Sequence, residues 1–226
     1  MFRIGGKSTL VPEVIKDGLS CSAFCQVQNG IGYVFGGFNK TGCHNLVYKI
    51  NNGLVSRCPP LSTDLKNAAA VIARNNRAYI IGGWDGKRTL DTIFTYEDDK
   101  LLYETRLPYP VEGHSSSVFD EFIINVGGFD GVSVISTISI YDTITKRTLL
   151  VDAKLKTPRE NHCTVIFKKD KKNVMLIMGG WDGQEALSEC EAFELINESP
   201  FVIPIQWNCD LIEPRNRPAV VVVPTE

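Results

Sequence analysis

Residues 79–86 read Tyr-Ile-Ile-Gly-Gly-Trp-Asp-Gly. Three apolar residues run into two glycines, and an aromatic residue and an Asp-Gly pair follow at once. A short apolar run closed by glycines reads as a buried strand ending in a turn. The same string recurs on both sides of this one. Tyr33–Gly37 reads YVFGG and is followed by Phe38. Ile124–Gly128 reads INVGG and is followed by Phe129-Asp130-Gly131. Leu176–Gly180 reads LIMGG and is followed by Trp181-Asp182-Gly183. The second glycines, Gly37, Gly83, Gly128 and Gly180, are spaced by 46, 45 and 52 residues.

Two further markers keep step with the doublets. An aromatic residue recurs at Tyr48, Tyr96, Tyr141 and Phe193. A strand-like run precedes each doublet: CSAFCQV from Cys21, NAAAVIA from Asn67, HSSSVF from His114 and HCTVIF from His162. The chain begins that element once more as RPAVVVV from Arg217. In the second copy, strands are expected at about 67–73, 77–81, 92–97 and 101–106. No stretch shows a capped period of 3.6, so helices are not expected. Four strands per repeat mean one small sheet per repeat, stacked radially as an all-β propeller.

Glycine doublets after an apolar strand, a following aromatic-Asp-Gly and a Tyr-Asp such as Tyr141-Asp142 resemble kelch repeats. The resemblance spans roughly residues 20–224. It departs from the pattern where kelch repeats carry a tryptophan after the Tyr-Asp. Val55, Tyr103 and Thr148 stand there, and the fourth copy reads Ser199-Pro200. The whole chain, 1–226, then reads as one kelch β-propeller domain, with repeats at about 20–62, 63–108, 109–154 and 155–206. Kelch propellers often build one blade from both chain ends. That implies a fifth, composite blade from 1–13 and 214–226, with strands at Phe2–Ile4, Thr9–Val11 and Ala219–Val223. Gly5-Gly6 would mark its second strand. The alternative is a piece cut from a propeller of six or seven blades.

The composition is that of an ordinary globular protein, with 43% apolar and 22% charged residues. A net charge of −2 gives no electrostatic hold on nucleic acid. No run of about 18 apolar residues exists, so no membrane span is expected. The N-terminus, MFRIGGKSTLVPEV, lacks the apolar core of a secretory signal. Seven scattered cysteines without a CxxC fit a reducing compartment, and a cytoplasmic location is expected. Cys21 and Cys25 are placed on one face of an inner strand, as packed small residues.

No catalytic, metal or cofactor signature emerges. The Gly-x-Ser-x-Gly elbow and the phosphate-binding Gly-x-x-x-x-Gly-Lys-Ser/Thr are both missing. His114 and His162 occupy equivalent repeat positions, which reads as structural. Asp85, Asp130 and Asp182 read as turn formers before glycine. Galactose-oxidase-like and sialic-acid-mutarotase-like enzymes share the kelch architecture, but no residue constellation here supports either chemistry.

Propeller loops converge on one face, and loops on a rigid scaffold carry function. Two sets of positions point there. One follows the doublets: Phe38 and Asn39, Trp84 and Asp85, Phe129 and Asp130, Trp181 and Asp182. The other precedes each first strand: Ser20, Lys66 and Asn67, Glu112, Arg159 and Glu160, Arg215 and Asn216. In the BTB-kelch ubiquitin-ligase adaptors that this chain resembles, matching positions contact a partner peptide, and Gln184 matches one more. Glu112 stands where a basic residue would be expected, which argues against an all-acidic partner. No BTB or F-box segment is recognised. A non-enzymatic module binding a protein or peptide partner is therefore expected, as a scaffold or ligase substrate receptor. The alternatives are a carbohydrate-active or isomerase-type kelch enzyme and an actin-associated kelch protein.

Overall fold

The computed structural model describes residues 15, 18–27 and 30–220. They form four antiparallel four-stranded sheets, one per repeat. Blade 1 pairs β1 (Ala23–Gln26), β2 (Gly32–Phe35), β5 (Val47–Asn51) and β6 (Leu54–Cys58) in that order. Between β2 and β5 lies a two-stranded ribbon, β3 (Phe38–Asn39) and β4 (Gly42–Cys43). Blade 2 runs β7 (Ala69–Ile72), β8 (Ala78–Ile81), β9 (Thr92–Glu97) and β10 (Lys100–Arg106). Blade 3 runs β11 (Ser115–Phe119), β12 (Phe122–Val126), β13 (Thr137–Asp142) and β14 (Thr148–Lys154). Blade 4 runs β15 (Cys163–Lys169), β16 (Lys172–Met178), β17 (Cys190–Leu195) and β18 (Val202–Ile205). The inner strands pack in succession: β1 against β7, β7 against β11, β11 against β15.

In blades 2 and 3 the strand before the doublet is apolar on both faces because a blade covers each face. In β8, Ala78 and Ile80 join Phe35, Val47 and Leu65 in the core shared with blade 1. Tyr79 and Ile81 point the other way, to Ile123 and Tyr141 of blade 3. In β12, Ile124 and Val126 then face Met175, Ile177 and Phe193 of blade 4. Strand alternation thus builds one core per blade interface.

The doublet is where consecutive blades touch. Gly82 holds φ +58°, and a Cβ there would lie 2.2 Å from the carbonyl oxygen of Val111 in the next blade. No side chain fits that gap, and the left-handed conformation itself favours glycine. The second glycine, Gly83, donates its amide to that same carbonyl at 2.8 Å. Gly37 donates to Leu65, Gly128 to Arg159 and Gly180 to Arg215 in the same way. The doublet is a backbone staple from one repeat to the start of the following one.

Four blades, not five, are formed by the described residues. Ala219 and Val220, expected in an inner strand, pair with nothing among them, and a strand without a ladder partner does not form. The other segments assigned to a composite blade, 1–13 and 221–226, lie outside the described residues, as does Gly5-Gly6. Cys21 precedes β1 rather than sitting in it, because its backbone is left-handed, φ 59°. Cys25 is buried in β1, and burial pushes its thiol up to about 12. None of the seven cysteines is in a disulfide. No helix among the described residues is long and apolar enough to cross a membrane.

Candidate functional site: the mouth of the central channel

Each first strand is approached through a left-handed residue. These residues are Cys21, Asn67, Gly113 and Asn161, with φ between 53° and 63°, and Arg217 after blade 4 repeats the conformation at 61°. A chain of backbone hydrogen bonds joins them. Asn67 N donates to Cys21 O at 2.9 Å, Gly113 N to Asn67 O at 2.9 Å and Asn161 N to Gly113 O at 2.6 Å. Arg217 N donates to Asn161 O at 2.9 Å. The five residues and their successors line a central cavity of about 320 Å³.

The residue before each left-handed position pairs with the doublet-following residue of its own blade. Antiparallel bridges join Ser20 to Phe38, Lys66 to Trp84, Glu112 to Phe129 and Glu160 to Trp181. The two sets of positions read from the sequence therefore meet on one face. Phe38 is exposed, and Trp84, Phe129 and Trp181 are half-buried. Behind three of these aromatic residues, an aspartate locks the turn. Asp85 Oδ1 accepts from the amides of Lys87 and Arg88, Asp130 Oδ1 from Val132 and Ser133, and Asp182 Oδ1 from Gln184 and Glu185. Asn39 does this work in blade 1, its Oδ1 accepting from Thr41 N at 2.9 Å and lying 2.8 Å from His44 Nε2. Rigid turns hold the aromatic rings half-exposed.

The face is electrically divided. On the blade 1–2 side, Lys66 Nζ lies 5.1 Å from the ring centre of Phe38 and 4.6 Å from that of Trp84, a double cation–π contact. On the blade 3–4 side stand Glu112 and Glu160. Glu112 is buried, and Asn67 Nδ2 and Thr89 Oγ1 donate to its two oxygens at 2.8 and 3.2 Å. Glu160 Oε2 lies over Gly113, 3.1 Å from where a Cβ would be. Burial and then the charge of Glu112 raise the Glu160 carboxyl pKa, partly offset by Arg217. The exposed Arg217 donates from Nη1 to Cys21 Sγ at 2.8 Å.

His114 and His162 line the same cavity, and both are buried. Burial lowers each to about 3, so both rings are neutral. His162 Nε2 lies 2.8 Å from Ser115 Oγ, whereas neither His114 nitrogen has a hydrogen-bond partner among the described residues. No group of three or more His, Cys, Asp or Glu side chains is placed to hold a metal ion among the described residues.

Three expected contact residues sit differently. Arg159 is fully buried below the face. Its Nη1 donates to Gly179 O at 3.0 Å and Glu189 O at 2.9 Å, and its Nη2 to Glu191 Oε1 at 2.8 Å. It cannot meet a partner, because blade 4 consumes its donors. Arg215 is exposed and paired to Glu213 at 3.0 Å. Glu112 is turned inward onto Asn67. Gln184 and Asn216 are exposed. The sequence reading overlooked Cys21, Asn161 and Arg217 as channel residues. The signal was present in the register, since each stands at the position of Asn67.

No family model matches the chain, and no curated protein matches it. Among solved structures it is similar to the propeller protein YjhT, with a TM-score of 0.71. The match covers 88% of this chain and 72% of YjhT at 12% identity. At that identity the likeness is one of fold.

Proposed function

We propose that this propeller is a kelch-type protein-interaction module whose channel-mouth face takes an extended peptide or exposed loop of a partner. The observation that carries this reading is the platform of Phe38, Trp84, Phe129 and Trp181. Each is bridged to a residue that precedes its blade's first strand, with Phe38 exposed and the other three half-buried on one face. Aromatic rings on a rigid frame supply contact area with little entropy left to lose on binding. A shallow face rimmed by turns suits a peptide or loop. In this reading the module works without catalysis, as a cytoplasmic scaffold or substrate receptor.

The test compares proteins retained from cell extract by the wild-type chain and by a Trp84→Ala/Trp181→Ala variant, with folding checked by circular dichroism. A protein held only by the wild type supports the face. Identical retention by a folded variant removes it.

One observation favours a second reading. The Glu160 carboxyl, whose pKa is raised by burial and then by the charge of Glu112, lies over Gly113, a residue that lines the central cavity, and a raised carboxyl is a group that a propeller enzyme acting on carbohydrate can use. Anomer interconversion of reducing sugars, followed by NMR with wild type and Glu160→Gln, tests it. Acceleration lost in the variant would establish catalysis.

A further inference from the structure

Each blade's chain returns to the channel mouth through a leucine whose amide is bonded to the segment after the doublet. Leu61 N donates to Asn45 O at 2.8 Å, Leu107 N to Asp91 O at 2.6 Å, Leu155 N to Ser136 O at 2.9 Å and Leu211 N to Ser188 O at 2.9 Å. In blades 2 and 3 that leucine directly follows the outer strand, which ends at Arg106 and at Lys154. In blade 1 only residues 59–60 intervene. In blade 4 the outer strand ends at Ile205, and residues 206–210 stand between it and Leu211.

This insertion is pinned at two points. Asp210 Oδ1 accepts from Cys190 N at 2.9 Å. Trp207 lies edge-on to Phe167 with 6.1 Å between ring centres, and Lys169 Nζ stands 4.8 Å from the Trp207 ring centre. The insertion thereby walls a cavity of about 340 Å³ where blade 3 meets the outer end of blade 4. That volume falls within the range of small-ligand clefts, roughly 300–1,000 Å³. Ile205 and Trp207, both half-buried, give the cavity apolar surface.

Lys154 and Lys156 of blade 3 line the same cavity. Leu155 between them is buried, and alternation turns both lysines outward. Both are exposed, and neither makes an ion pair with a described residue. The acidic groups in the lining do not neutralise them. Glu191 is already satisfied by Arg159 Nη2 at 2.8 Å and by the amides of Lys156 and Thr157 at 2.7 and 3.2 Å. Burial, and then the charge of Asp210, hold the Cys190 thiol above its ordinary pKa, so it stays neutral. Two unmatched ammonium groups beside an apolar wall favour an anion carried on an apolar body, and a cation would be repelled.

We propose that this rim cavity binds a small organic anion, a carboxylate or phosphate on an aromatic or branched apolar body. Lys154 and Lys156 hold the oxyanion, while Ile205 and Trp207 take the body. The cavity shares no lining residue with the channel mouth, so the site stands independently of the interaction reading.

Naphthoate, naphthyl phosphate and the neutral naphthamide are titrated into the wild-type chain and followed by amide NMR spectra. At least one of the two anions is expected to shift the signals of residues 154–156, 190–192 and 205–207, and naphthamide should bind about tenfold or more weakly. A Lys154→Gln/Lys156→Gln variant, with an unchanged melting temperature, should bind the anion no better than the amide. Trp207→Ala should weaken anion and amide by a similar factor. Equal affinity for anion and amide, or full anion affinity in the lysine variant, would overturn the site. So would the absence of shifts at these residues with either anion at millimolar concentration. A selective shift with the phosphate alone, or with the carboxylate alone, supports the site and names its oxyanion.

Discussion

Arg159 Nη2 donates to Glu191 Oε1 at 2.8 Å, and the arginine has no solvent-exposed surface. Glu191 also accepts the amides of Lys156 and Thr157, and Arg159 reaches the carbonyls of Gly179 and Glu189. One side chain thereby ties the approach to blade 4 to the turns of that blade. In blades 2 and 3, Leu65 and Val111 stand at the equivalent position and are simply apolar. Removing one partner of a buried pair leaves an uncompensated charge. Arg159→Ala is expected to lower stability by about 3–5 kcal/mol. Urea denaturation of the variant against wild type measures it.

The staple makes a second prediction. Gly82→Ala must place a methyl 2.2 Å from Val111 O while keeping a left-handed backbone. Gly53 has φ +79° and no atom within 4 Å of an added Cβ. Gly53→Ala is therefore expected to cost only the conformational part, about 1–2 kcal/mol. Gly82→Ala should cost clearly more, because the blades must part. Thermal melts of the two variants side by side give the comparison, and equal losses would refute the staple.

The two buried histidines set an acid dependence. Each titrates near 6.5 in the unfolded chain and about 3 in the folded one, chiefly through burial. Between those values the unfolded chain binds more protons, so stability falls as the pH drops from about 6.5 towards 3. Above 6.5 neither histidine contributes a slope. Each can contribute at most about 1.4 kcal/mol per pH unit within the window. His114→Gln should flatten the decline measured by urea denaturation between pH 7 and 5, relative to wild type.

The contact of Lys66 with two rings is testable by fluorescence. Lys66→Met removes the charge between Phe38 and Trp84 and keeps a similar stem. A loss of about 0.5–1 kcal/mol per contact is expected, since the site is half-exposed. Freed from the ammonium, Trp84 should become more accessible to acrylamide quenching. Unchanged quenching would show that the ring is held by packing alone.

Much of the fold is legible in the chain because a blade is a local object. Its strands follow one another and pair in order, so period-2 alternation and turn residues report the sheet directly. The strands of blade 2 at Ala69–Ile72, Ala78–Ile81, Thr92–Glu97 and Lys100–Arg106 fall at or within two residues of the expected places. The meeting of doublet-following and pre-strand positions on one face was also readable, since both recur in every repeat. The number of blades was not. The fifth blade was expected from how kelch propellers use their chain ends and not from a full repeat, and the four sheets formed by the described residues correct the expected five.

The sequence by itself determined the repeat, the four-stranded sheets and the aromatic residues that follow each glycine pair. These depend on residue types at fixed separations along one chain. Only the tertiary structure decided which charges face outward. Arg159 looks like a surface cation until Glu191 of the same interface is seen to bury it. Glu112 and Glu160 are 48 residues apart in the chain, and become neighbours because blades 3 and 4 meet at Gly113 and Asn161. Burial and electrostatic pairing are properties of the space between repeats, and no single repeat contains that space.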